Sequence, residues 1–199
     1  MGTRGAYGFR IDGTDKITYN HFDSYPDALG LDMAKYVKNH TDAELAEAAR
    51  RLIAIEPDSK ATPEQIAKYK RFADPGVSSG NLSDWYVLLR GAQCNPEAWH
   101  RGLDHFSSDG EFMADSLFCE FAYVVNLDEG TLEFYRGFNK DKAAPGRYAA
   151  LERKTDGSRA NEYFGVRLVE SVPLATIRDV EPAAVVKRWN QLISTEDDE

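Results

Sequence analysis

Between residues 117 and 127 apolar side chains occupy both faces of an extended segment. Leu117, Cys119, Phe121, Tyr123, Val125 and Leu127 alternate on one side, and Phe118, Ala122 and Val124 occupy the other. Side chains of a strand alternate with a period of two, and a strand that is apolar on both faces is buried on both. This segment is therefore expected at the centre of a sheet, with helices or a second sheet on each side. Asp128-Glu129-Gly130 turns it into a second strand over residues 131–138, and residues 163–172 read as another through Phe164, Val166, Leu168 and Glu170.

A hairpin is expected over residues 3–25, because Asp12-Gly13 is a strong turn signal between two β-rich runs. Tyr7, Phe9 and Ile11 share a face on the first run, and Ile17 and Tyr19 do so on the second. A two-residue turn sets Phe9 opposite Lys16 and puts the two apolar rows on opposite faces. A three-residue loop, Asp12-Gly13-Thr14, pairs Phe9 with Ile17 and Tyr7 with Tyr19. The longer loop is favoured on the ground that a slip of one residue exposes an apolar row. It places Gly5 opposite His21 and Thr3 opposite Asp23.

Helical patterns fill the interval between these strands. Residues 26–40 carry Leu29, Met33, Tyr36 and Val37 at helical spacing, with Gly30 as a weak point. Thr41 and Glu44 form a capping box that opens a helix to about Ile55, and Pro57 stops it. Thr62-Pro63-Glu64-Gln65 repeats the start signal for a helix to about Phe72. Ser83 is expected to cap a short helix with Trp85, Leu88 and Leu89, and Asn95-Pro96 to open another with Trp99 and Leu103 inward. A last helix from Glu181-Pro182 carries Val185, Val186 and Trp189. The order argues for an α+β fold with antiparallel sheets rather than βαβ units. One domain is expected over residues 1–194, with a helical block at about 26–105 between two sheet-forming regions. A disordered acidic tail follows at 195–199, and a long, partly ordered connection at 139–161.

The chain of 199 residues has a net charge of −9, and four of its acids are the terminal Glu196-Asp197-Asp198-Glu199. No basic stripe is present, so no nucleic acid is expected as a partner. No apolar run approaches the roughly 18 residues of a membrane span, and Arg4 and Arg10 interrupt any apolar leader. Two cysteines, Cys94 and Cys119, give no disulfide framework. A cytoplasmic protein is expected, with no membrane partner and no cofactor.

The hairpin's open end gathers Thr3, Arg4, Asn20, His21 and Asp23, and these five are the expected ligand-binding residues. A chain start held beside an Asp and an Asn is the arrangement in which an α-amino group serves as a general base, since its pKa near 8 suits proton transfer. Replacing Asn20 and Asp23 by Ala is expected to spare folding and remove binding.

Tyr19-Asn20-His21-Phe22-Asp23 after an N-terminal strand resembles the opening of the N-terminal nucleophile hydrolases, whose cysteine branch closes this hairpin with Arg-Asn-x-Asp. The run from Glu120 to Asp128, followed by Leu132-Glu133-Phe134-Tyr135-Arg136-Gly137, resembles the internal hairpin of bacterial and phage proteins that begin Met-Gly-Thr-Arg-Gly. The first resemblance implies a four-layer sandwich. It also implies a nucleophile at residue 2, where this chain has Gly2, and Tyr19 stands about where the family has its Arg. A hydrolase-like but non-catalytic protein is therefore expected, a phage accessory protein by resemblance, that binds a small ligand or a host or self protein. The alternative is an amidohydrolase that uses Thr3 after processing.

Two further motifs bear on chemistry. Glu97-Ala98-Trp99-His100 has the E-x-x-H spacing, with His105 nearby. Di-metal bundles need two such motifs and two further Glu, so a surface helix with one His beside Trp99 is expected, and no metal. Cys119 reads as a small buried hydrophobe. Cys94 lies near a helix start but has no identifiable partner His.

Overall fold

The computed structural model describes residues 2–152 and 162–197. Among them β1 (Gly5–Ile11) and β2 (Thr14–Asn20) form the hairpin, and a π-helical turn at Pro26–Gly30 leads into α1 (Leu31–Asn39). Then come α2 (Asp42–Arg51), β3 (Ile53–Ile55), α3 (Pro63–Tyr69), α4 (Trp85–Leu88) and β4 (His105–Ser107). The C-terminal half contributes β5 (Phe121–Asn126), β6 (Thr131–Arg136), β7 (Arg167–Pro173), α5 (Leu174–Asp179) and α6 (Pro182–Asp197). The main sheet has the order β2-β1-β5-β6-β7, and β3 and β4 form a separate parallel pair. The double-faced apolar segment is β5, third of five, and every one of its residues is buried.

The sheet is mostly antiparallel, with one exception at its centre. β1 and β5 run parallel, Gly5 beside Phe121 and Arg10 beside Asn126. The helical block joins β2 to β5 on either side of β1, leaving from Asn20 and returning at Phe121, both beside Gly5, so it starts and ends at the same end of the sheet. On one face Tyr7, Phe9, Tyr123, Val125 and Phe134 pack under the helices, with α1 against α5 and α6. Trp189 of α6 lies on Tyr123 and Phe134, at ring-centroid distances of 5.6 and 5.0 Å. On the other face Ala6, Ile17, Ala122, Val124 and Tyr135 are covered by Met113, Cys119, Tyr148 and Val166. That cover comes from a 3₁₀ turn and loop segments, not from helices or a second sheet.

The hairpin register differs from the sequence-based expectation by one residue. Asp12 and Gly13 have φ of 52° and 73° and form a two-residue turn of the I′ kind. Phe9 faces Lys16, Gly8 faces Ile17, and Gly5 faces Asn20. Both apolar rows nonetheless find cover, because the sheet is covered on both faces: Phe9 lies under the helices and Ile17 in the second core, with Tyr19 half-buried beyond it. Lys16, turned toward the helices, donates to the carbonyls of Ala49 at 2.8 Å and Leu52 at 2.7 Å, where α2 ends. A cation there satisfies orphan carbonyls and the helix dipole together. The Asp128 carboxylate accepts from the N–H groups of Asp12 and Gly13, at 2.7 and 3.0 Å, and ties the turn to the end of β5.

Local signals in the helical block fare unevenly. Both capping boxes are present, at Thr41–Glu44 and Thr62–Gln65. α2 stops at Arg51, and Ile53–Ile55, expected as its last turn, is strand β3. Asp84, rather than Ser83, caps α4 by accepting from the Tyr86 N–H. Gly30 is no mere weak point, since a Cβ there would lie 2.9 Å from the Tyr123 ring. α6 continues through Asp197, past the expected start of the tail. Of the 139–161 connection, positions 153–161 lie outside the described residues.

Glu133 is 2% exposed in the second face. Arg147 reaches it with two guanidinium nitrogens, one at 2.7 Å, and Asn126 and Tyr135 each donate to it at 2.8 Å. Removing one partner of such a pair strands a buried charge, whereas apolar replacement of both does not. Arg147→Ala is expected to cost about 3–5 kcal/mol of stability. The double variant Glu133→Gln/Arg147→Leu, which removes both charges and keeps an acceptor for Asn126 and Tyr135, is expected to recover part of that loss, as read from urea unfolding curves.

Candidate functional site

The two-residue register sends Thr18 to the helix side of the sheet, beside Tyr7. There, between β2 and the segment from Trp85 to Asp109, lies a cleft of about 260 Å³. Tyr7, Trp85, Tyr86, Trp99, His105 and Phe106 supply its aromatic walls, and Thr18, Gln93, Ser107 and Asp109 its polar groups. Tyr7 and Trp99 rest against each other at 5.1 Å, and Trp85 stacks on His105 at 5.3 Å with planes 12° apart. Tyr7 is fixed by donating its hydroxyl to the Ala92 carbonyl at 3.0 Å. A larger groove of about 540 Å³ lies between α1 and α6. It is shallower and is walled by side chains such as Lys187, Asn190 and Gln191, with no cluster of rings, so the aromatic cleft is the better-built site.

His105 is held from behind. Its Nδ1 lies 2.8 Å from Asp104 and 2.9 Å from the Tyr69 hydroxyl, and its Nε2 faces the Gln65 amide at 3.3 Å. Tyr69 and Lys68 also donate to Asp104. Burial works against the Asp104 charge, but the hydrogen bonds from Lys68, Tyr69 and His105 outweigh it and bring the carboxyl down to about 2. With both ring nitrogens engaged, His105 serves the cleft as an oriented wall. Among the described residues no serine, threonine or cysteine is hydrogen-bonded to it.

The five residues singled out from the sequence lie around the hairpin's open end, next to this cleft rather than inside it. Thr3 accepts the Ser24 N–H at 3.1 Å, so the opening residues are pinned to the loop after β2. Arg4 lies over the Phe118 ring at 4.7 Å, and its charge reaches Tyr19 and His21. His21 is held below its ordinary pKa by burial, then by Arg90 and Arg4. Kept neutral, it can accept the Tyr19 hydroxyl at Nδ1, 2.8 Å away. The main-chain N–H of His21 donates to Gln93, which lines the cleft. Asp23 is exposed with φ of 53°, and its carbonyl accepts the Leu29 N–H.

Asn20 is wholly buried and saturated. Its Oδ1 accepts the Cys94 N–H at 2.9 Å, and its Nδ2 donates to the Phe22 carbonyl and to Ser24 Oγ. Cys94 has φ of 55°, a conformation that non-glycine residues rarely adopt, and the Asn20 bonds hold it there. Its Sγ lies 3.0 Å from the Phe22 carbonyl, and burial raises the thiol pKa, with the Asn20 hydrogen bond partly opposing. That environment suits a structural plug and not a nucleophile. The expectation that Asn20 can be removed without touching the fold therefore gives way: this side chain joins the hairpin end to the 90–95 turn. Cys94 is the partner that sequence spacing did not disclose, since 74 residues separate the two.

No protein-family model, curated protein or solved structure matches the chain, so a functional reading rests on this geometry.

Asn20→Ala is expected to lower stability by about 1–3 kcal/mol, because it takes the acceptor from the half-buried Cys94 N–H and the donor from Ser24 and the Phe22 carbonyl. Asp23→Asn, which keeps an exposed residue that tolerates φ of 53°, is expected to stay within about 0.5 kcal/mol of wild type; denaturant melts of the two variants separate the roles. The Asp104 carboxyl titrates lower folded than unfolded, from an ordinary 3.8 to about 2. The stability it contributes is complete above about pH 4 and drains as the pH falls toward 2. Asp104→Asn is expected to flatten that acid limb in thermal unfolding followed from pH 5 to pH 2.

Proposed function

We propose that the protein is a non-catalytic binding protein that takes a compact, flat organic ligand into the aromatic cleft beside the hairpin. The observation that carries this reading is the concentration of rings around one cavity, with a few convergent polar groups at Thr18, Gln93, Ser107 and Asp109. Aromatic walls offer large apolar contact to a planar ligand, and a few placed polar groups orient it. The volume argues for a molecule smaller than the drug-sized ligands that fill pockets of about 300–1,000 Å³.

The likeness to N-terminal nucleophile hydrolases, with their four-layer sandwich and an activity routed through Thr3, draws its support from the pinned chain start alone. Gly2 offers no nucleophile, and one five-stranded sheet with a two-stranded pair falls short of two large stacked sheets. With that likeness go a host or self protein as partner, a phage accessory role and a cytoplasmic location. Among the described residues no helix is long and apolar enough to cross a membrane.

The test is a panel of small heteroaromatic and phenolic compounds screened by quenching of tryptophan fluorescence. At least one compound is expected to bind saturably, and Thr18→Trp, which fills the cleft from the edge strand, is expected to abolish that binding with an unchanged melting temperature. Binding that survives Thr18→Trp, or a panel without a single saturable compound, contradicts the proposal.

A further inference from the structure

Outside the cleft, a second group of side chains converges on the other side of Trp99. The 97–100 spacing lies on a 3₁₀ turn, Pro96–Trp99, with His100 as its C-cap. Residues three apart eclipse in that geometry, so the Glu97 carboxylate and the His100 imidazole stand one above the other. His40 joins them from the corner where α1 ends and Thr41 caps α2. The His40 carbonyl is held by Arg178 through Nε at 3.1 Å and Nη2 at 2.9 Å. His40 Nε2 lies 3.2 and 3.1 Å from the two Glu97 oxygens, and the two imidazoles stack at 3.8 Å with planes 13° apart.

Each of these three residues offers a donor atom within 4.8 Å of the others. Metal–nitrogen bonds of ~2.0–2.1 Å in a tetrahedral shell put neighbouring donors roughly 3.3 Å apart. Closure on an ion therefore takes side-chain rotation of about an ångström and a half or less, with no change of backbone. Tyr36 supplies the outer shell, its hydroxyl 3.0 Å from His100 Nδ1, while His100 Nε2 is buried without a well-formed hydrogen bond, the Glu44 carbonyl also lying near this ring. That division of labour is the usual one for a ligating histidine, whose second nitrogen is oriented by a neighbour. Glu97 remains 34% exposed, which leaves a route from solvent. Two imidazoles and one carboxylate suit zinc and its neighbours, and offer too few oxygens for calcium or magnesium.

We propose that His40, Glu97 and His100 form a binding site for one divalent transition-metal ion of the zinc class, with solvent completing its shell. The ion ties the α1–α2 corner to the turn that carries Trp99, and its binding does not depend on what the cleft holds.

The chain, stripped with EDTA, is titrated with zinc chloride by calorimetry and with cobalt chloride by visible absorption. One zinc ion per chain is expected, with cobalt ligand-field bands. His40→Ala and His100→Ala are each expected to weaken binding by at least about 100-fold, and Tyr36→Phe by about tenfold. Zinc is expected to raise the melting temperature of wild type and not of His40→Ala. His21→Gln is expected to bind as wild type does. Should His40→Ala fail to fold, Glu97→Gln, which keeps a hydrogen bond to His40, carries the comparison. No saturable binding, binding undiminished in Glu97→Gln and His100→Ala, or binding lost in His21→Gln overturns the proposal; a plain His40–Glu97 hydrogen bond then accounts for the cluster.

Discussion

The opening strand of this chain has no free side. β2 and β5 flank it, helices cover the face of Tyr7 and Phe9, and the Ala6 face lies under the second core. Two glycines record how closely its neighbours approach: a Cβ on Gly5 would lie 2.2 Å from the Phe121 carbonyl oxygen, and one on Gly8 would lie 2.0 Å from that of Lys16. Everything else is arranged around that interior strand. The I′ turn fixes the register, the register turns Lys16, Thr18 and Asn20 toward the helices, and each of the three then has a separate task. Lys16 closes the end of α2, Thr18 enters the cleft, and Asn20 locks the hairpin to the turn that carries Cys94.

The short turns between Leu89 and His105 join the remaining parts. Trp99 faces the cleft, while Glu97 and His100 of the same 3₁₀ turn face His40. Tyr36 links the two sides, with its ring 5.8 Å from Trp99 and 5.4 Å from His100. A segment this short has little packing of its own, so its position depends on anchors at both ends. Asn20 supplies one at Cys94, and the Arg51 guanidinium supplies another by donating to the Trp99 carbonyl at 2.7 Å.

What was legible in the sequence was whatever depends on local physics. The central strand announced itself through apolar residues on both faces, and both capping boxes formed where Thr41 and Thr62 stand three residues before Glu44 and Gln65. Asp12-Gly13 also carried the right local message, a two-residue turn. The longer loop follows only if one face of the hairpin is wet, and here helices cover one face and the second core the other. The site was harder to see because it is assembled from distant pieces. Nothing in the spacing of Glu97 and His100 points to His40, 57 residues earlier. Nothing around Asn20 pointed to Cys94 either. The polar cluster at the hairpin's end does come together, but its most buried member, Asn20, builds the fold.

The hairpin register carries the account, because a shift of one residue would turn Lys16, Thr18 and Asn20 away from the helices together. Cross-strand nuclear Overhauser contacts between Hα protons measure it directly. Contacts are predicted between Ala6 and Tyr19 and between Arg10 and Asp15. Contacts instead between Ala6 and Asn20 and between Arg10 and Lys16 would contradict the account.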